Sequence, residues 1–119
     1  MASIIKDKSY LFAIRVVNLN KFLVKEKQEF VMSKQLLKSG TSIAANVREA
    51  VNAQSGADFI HKLSISQKEA DETLFWLELL NDTDYLTEEQ FKDIYDDCRQ
   101  LYKIITSIIL TKKQNLRKK

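Results

Sequence analysis

The sequence predicts an all-α fold, an up-down-up-down antiparallel four-helix bundle spanning residues 1–119 as a single domain. Three observations predict it. The 119 residues include no proline and only two glycines, against about 5% and about 7% in average chains, and folds built on tight turns draw heavily on both. Apolar residues return at steps of three and four in four successive stretches, the spacing of one helical face. Short polar links join these stretches, which places successive helices antiparallel.

The first helix is expected over residues 9–26, with Phe12, Val16, Leu19 and Leu23 on its core face. Tyr10, Leu11, Ala13, Ile14, Val17, Phe22 and Val24 widen the apolar arc well beyond one face, and Arg15, Asn18, Lys21 and Lys25 mark the polar strip. Such an arc suits a helix central to its own monomer. It equally suits one whose flank covers another subunit, since broad exposed apolar surface is a liability unless used. The second helix is expected over 33–52, with Ser33 as N-cap and Leu36, Ile43, Val47 and Ala50 as its core stripe. Gly40 in its middle costs about 1 kcal/mol against alanine and points to close backbone packing.

Ser55-Gly-Ala-Asp58 resembles a capping box that opens a third helix over 57–80, with Phe59, Leu63, Ala70, Leu77 and Leu80 inward and Ser66 and Thr73 as small polar members. Thr87-Glu-Glu-Gln90 is a capping box for the fourth helix, expected over 88–112. Its core stripe is Phe91, Ile94, Cys98, Leu101, Ile105 and Ile108, and residues 111–119 follow as a basic C-terminal tail.

Polar stripes lie beside the core stripes of the second and third helices: Ser39, Ser42, Asn46 and Glu49 on one, Lys62, Glu69, Glu72 and Trp76 on the other. A hairpin turning near Ser55 pairs positions whose numbers sum to about 111, so Glu49 faces Lys62, Ser42 faces Glu69 and Ser39 faces Glu72. A buried carboxylate needs a partner. The expectation is a Glu49–Lys62 ion pair, with serine hydroxyls and Asn46 satisfying Glu69 and Glu72.

Chemistry finds few parts. Glu69 and Glu72 share a face at the spacing of bundle di-metal sites, but those sites use Glu-x-x-His twice, a motif the chain does not contain. One histidine, His61, and one cysteine, Cys98, argue against a zinc site and exclude an intramolecular disulfide. Cys98 lies on the core stripe of its helix and reads as a small buried hydrophobe. No phosphate-binding loop or nucleophile elbow is present. Catalytic residues, metal ligands, cofactors and a small-molecule substrate are therefore not expected. No apolar run reaches the roughly 20 residues that span a bilayer, and charges at Lys6, Asp7, Lys8 and Arg15 break up the N-terminal apolar residues, unlike a signal peptide. A cytoplasmic location with no membrane partner is the expectation.

The net charge of +3 hides a polarity. Residues 1–60 carry nine basic and five acidic side chains, residues 61–110 five and eleven, and residues 111–119 five and none. In an up-down bundle the termini and the turn between the second and third helices share one end, which is therefore basic. Basic clusters bind phosphate backbones, and they also serve merely as solvated tails.

The stretches Ser39-Gly-Thr-Ser-Ile-Ala-Ala-Asn-Val-Arg-Glu-Ala50, Asp58-Phe-Ile-His-Lys-Leu-Ser-Ile65 and Glu69-Ala-Asp-Glu-Thr-Leu-Phe-Trp-Leu77 resemble the bacterial four-helix-bundle family of 23S rRNA intervening-sequence proteins. The likeness runs from about Lys8 to Ile109. It implies that Asn46, Glu49, Lys62, Glu69, Glu72 and Trp76 are architectural. Related accessory proteins of diversity-generating retroelements share the bundle and form pentamers that bind nucleic acid through basic surface. By that resemblance this chain is expected to be a non-enzymatic homo-oligomer, a pentamer. Two functions follow. One is an RNA- or DNA-associated accessory protein, with Arg15, Lys21, Lys25, Arg48, Lys112, Lys113, Arg117, Lys118 and Lys119 as candidate phosphate contacts. The other is a protein-interaction scaffold with no nucleic-acid role.

Overall fold

The computed structural model describes residues 2–118. Four helices make up the bundle: α1 (Ala2–Lys27), α2 (Met32–Val51), α3 (Gly56–Asp82) and α4 (Glu88–Arg117). Each packs along its neighbour in sequence, and α1 meets α4 along a shorter seam. The rod measures 53 × 21 × 20 Å. Its core runs the full length, from Ile5 through Phe12, Val16, Ile43, Leu63, Leu77 and Cys98 to Ile105, all 2% exposed or less. Ile5 apart, these belong to the predicted inward stripes, because a helix that buries one face must repeat its apolar residues at 3.6.

The helix ends differ from expectation, each for a physical reason. α1 begins at Ala2 rather than residue 9. Ser9 is buried in mid-helix, where its hydroxyl donates back to the Lys6 carbonyl at 3.1 Å, and Ile5 extends the core one turn earlier. α4 runs to Arg117 rather than 112, so most of the basic tail is helix. With no glycine or proline to stop it, α4 continues until Leu116 meets the start of α3. A Cβ added at Gly56 would lie 2.9 Å from Leu116 Cδ2.

Ser33 does not cap α2. The chain leaves α1 through Gln28, at φ 53°, and this left-handed turn brings Glu29 under the first turn of α2. There the Glu29 carboxylate accepts the amides of Ser33 (2.7 Å), Met32 (3.1 Å) and Val31 (3.2 Å), and the Ser33 hydroxyl donates to the Glu29 carbonyl at 2.7 Å. A carboxylate at a helix N-terminus satisfies orphan amides and complements the helix dipole. Ser55 accepts the Asp58 amide as expected, at 3.0 Å. α3 ends in a Schellman motif with Asp84 at φ 68°: the Tyr85 amide donates to the Leu80 carbonyl and the Asp84 amide to the Asn81 carbonyl. The Thr87–Gln90 capping box is present with both arms.

Gly40 lies where α2 packs tightly on Val16 of α1. A Cβ there would fall 2.7 Å from both Cγ atoms of Val16, so the helix tolerates a poor former in exchange for backbone contact.

Candidate nucleic-acid interface

Antiparallel packing gathers the start of α1, the end of α2, the start of α3 and the end of α4 at one end of the rod. Lys6, Asp7, Tyr10, Leu11 and Arg48 line a groove there, and the Arg48 guanidinium lies 5.8 Å from the Tyr10 ring centre. Tyr10 is 53% exposed. From α4, Lys112 sits 5.5 Å from the centre of the Phe59 ring. Lys113 and Arg117 follow on exposed positions of the same helix, and Lys118 is its exposed C-cap. Both distances are within the roughly 6 Å over which a cation is held by a ring face. Tyr10 and Phe59 escaped the sequence reading as partners of bases, because the tail itself has no aromatic residue. The signal was available in the α1–α2 register: Gly40 meets Val16, so positions summing to about 56 face each other, and Tyr10 falls opposite Arg48.

The other candidate contacts are elsewhere. Arg15 is held by α4: its Nη2 lies 2.7 Å from Asp93 Oδ2 and its Nη1 3.0 Å from Asp97 Oδ2. It therefore ties the α1–α4 seam and meets two carboxylates before any phosphate. Lys21 and Lys25 are exposed on the far half of α1, and at 1.5 Å per residue Lys25 stands about 28 Å along the axis from Lys6. Lys119 lies outside the described residues.

The α2–α3 stripes meet in the expected register, with different partners. Lys62 Nζ lies 3.0 Å from Glu49 Oε1. The serine hydroxyls and Asn46 do not serve Glu69 and Glu72. Glu72 is exposed and accepts the Trp76 indole N–H at 3.3 Å, and Asn46 donates to the Ser42 carbonyl at 2.8 Å. Ser39 meets Thr73 instead, their hydroxyls 3.0 Å apart. Ser66 donates across the helix pair to the Ile43 carbonyl at 2.9 Å. The reason is burial: the hydroxyls lie on the core side and must bond locally, whereas the carboxylates reach water.

Because the Glu49 side chain is 57% exposed, its pair with Lys62 is worth at most about 1 kcal/mol. Lys62→Met is accordingly expected to lower stability by less than about 1 kcal/mol in chemical denaturation. A loss several times larger would show that the pair is effectively buried.

Cys98 is not activated as a nucleophile. Burial pushes the Cys98 thiol far above its usual range, the charges of Asp97 and Asp71 adding to it, and the thiol donates to the Ala70 carbonyl at 3.5 Å. Among the described residues no three His, Cys, Asp or Glu side chains converge as a metal ion would require, and no helix is long and apolar enough to cross a membrane.

Residues 2–107 match the 23S rRNA-intervening sequence protein family. The fold is similar to the crystal structure of a protein of unknown function from the S23 ribosomal protein family of Bacteroides thetaiotaomicron, with a TM-score of 0.89 and 59% identity over 91% of this chain and 96% of that one. No curated protein is similar enough to count as a match.

Proposed function

The chain belongs to the 23S rRNA-intervening sequence protein family, and from that membership we propose that it is a non-enzymatic accessory protein that docks on the phosphate backbone of RNA or DNA through the basic end of its bundle. The observation that carries this reading is the helical tail. α4 carries Lys112, Lys113 and Arg117 on a helix that finishes at the same end of the bundle as Arg48 and Lys6, where a flexible tail would lose ordering entropy on contact. The phosphate contacts are Arg48, Lys112, Lys113, Arg117 and Lys118. Arg15 drops out because Asp93 and Asp97 already neutralise it, and Lys21 and Lys25 because they stand at the other end. Such contact is salt-sensitive and weakly sequence-selective. Generic single-stranded RNA should bind at low salt and weaken steeply at moderate salt, as followed by fluorescence anisotropy. An undetectable signal at both salts would favour the scaffold.

The protein acts as a homo-oligomer, a pentamer by family resemblance, in the cytoplasm. Support for assembly comes from the outer face of α1, where Ile4, Leu11 and Ile14 are 53%, 61% and 44% exposed, a patch that isolated chains rarely leave to water. Light scattering at micromolar concentration should return a multiple of the chain mass, and a monomer would remove this part of the proposal.

The scaffold reading has its own observation. Phe30 and Val31 stand exposed at the opposite end, where a protein partner would find apolar surface away from the bases.

A further inference from the structure

At the basic end the core opens into a pocket of about 200 Å³. The buried Ile5, Val47, Leu63 and Ile108 and the half-buried Val51 and Phe59 line it. Thr111, Lys112 and Asn115 complete the lining, all three from the last turns of α4. The extension of α4 past residue 112 thus adds Asn115 to the pocket lining, and Leu116, seated against Gly56, holds that part of α4 in place.

The chemistry of this lining is lopsided. Six apolar side chains surround the space, and the single charge among the lining residues is the Lys112 ammonium. That ammonium rests by the Phe59 ring at 5.5 Å, and among the described residues no carboxylate lies within the 4.0 Å of an ion pair with it. The other polar groups of the lining, the Thr111 hydroxyl and the Asn115 amide, can each donate a hydrogen bond as well as accept one. An apolar cavity of about 150 Å³ is enough to take up benzene, so this one accommodates a slightly larger body. Pockets that bind small molecules share this plan, an apolar lining with a few convergent polar groups that orient the ligand.

We propose that the pocket binds a monocarboxylate with an apolar body of about six to eight carbons, its chain between Val51, Phe59 and Ile108 and its carboxylate at Lys112. The ammonium supplies a charge-assisted hydrogen bond, which an alcohol of the same length receives only weakly and an alkylammonium ion not at all. The occupant is distinct from the nucleic acid of the preceding proposal, because a phosphodiester backbone has no apolar body to fill the space.

The test is calorimetric titration of the full chain with octanoate, octan-1-ol and octylammonium. Octanoate should bind one per chain, with octan-1-ol and octylammonium each at least about tenfold weaker. Lys112→Met, which keeps the apolar stem, should weaken octanoate about tenfold and bring it level with octan-1-ol. Val51→Phe, at a half-buried lining position, should abolish uptake of octanoate and octan-1-ol while helicity is retained. Equal binding of octanoate and octan-1-ol, an unchanged octanoate affinity in Lys112→Met, or no octanoate binding at all would overturn the proposal.

Discussion

Replacing Glu29 with glutamine is expected to destabilise the folded chain by about 2–3 kcal/mol, the effect of removing a charged acceptor from several amides at once. Both carboxylate oxygens are in use: Oε1 takes the Ser33 amide, and Oε2 takes those of Val31 and Met32. Glutamine keeps one acceptor and turns an NH₂ toward an amide, leaving a donor unsatisfied in a position only 8% exposed. The cost should appear in thermal denaturation as a fall of roughly 10 °C. The same site gives a pH dependence. Burial acts to raise the Glu29 pKa, but the amides of Ser33, Met32 and Val31 and the Ser33 hydroxyl outweigh it, and the carboxyl titrates below its ordinary value. A depressed folded pKa contributes stability that is complete above the unfolded value, about 4.3 for glutamate. That contribution is lost as the pH falls through the folded value. The gap between the native chain and Glu29→Gln should therefore be full at pH 7 and narrow below pH of about 4. A gap independent of pH would mean that the charge of Glu29 contributes nothing.

Gly40→Ala is expected to cost about 1–2 kcal/mol although alanine is the better helix former. Propensity alone would gain about 1 kcal/mol. The new methyl would sit 2.7 Å from both Cγ atoms of Val16, and Val16 is fully buried with a β-branched side chain that has one preferred rotamer in a helix. Neither partner can turn away, so the helices must separate. Val16→Ala removes the obstacle, and the two substitutions should be strongly non-additive in denaturant unfolding, the double variant being at least about 1 kcal/mol more stable than the sum of the singles predicts. Additive losses would place the constraint elsewhere.

The fold was legible because its information is periodic. The core stripes follow from spacing, down to the small polar members Ser66 and Thr73, both fully buried. The register between the second and third helices followed from one turn position and gave the Glu49–Lys62 pair. What was not legible depends on competition between local groups. Ser9 and Ser33 have the side chain of a cap, but one lies within a helix and the other is displaced by Glu29, whose position depends on the left-handed Gln28. No glycine marks that turn, nor the one at Asp84. The basic tail reads as solvated because it is charged, yet it contains no helix breaker, and Leu116 docks it on Gly56. At the candidate interface the bases of the tail and Arg48 were identifiable by charge. The neutralisation of Arg15 was not, because it requires the lateral pairing of α1 with α4, between helices far apart in sequence.

The central claim, that phosphate docks at the basic end, is tested most directly by the salt dependence of affinity for generic single-stranded RNA. The native chain should be compared with one carrying Lys112→Gln, Lys113→Gln, Arg117→Gln and Lys118→Gln, and with one carrying Lys21→Gln and Lys25→Gln. The slope of log affinity against log salt should become shallower by about 0.7 for each phosphate contact removed in the first variant, and should be unchanged in the second. Identical slopes in the native chain and the tail variant, or a loss confined to Lys21 and Lys25, would contradict it.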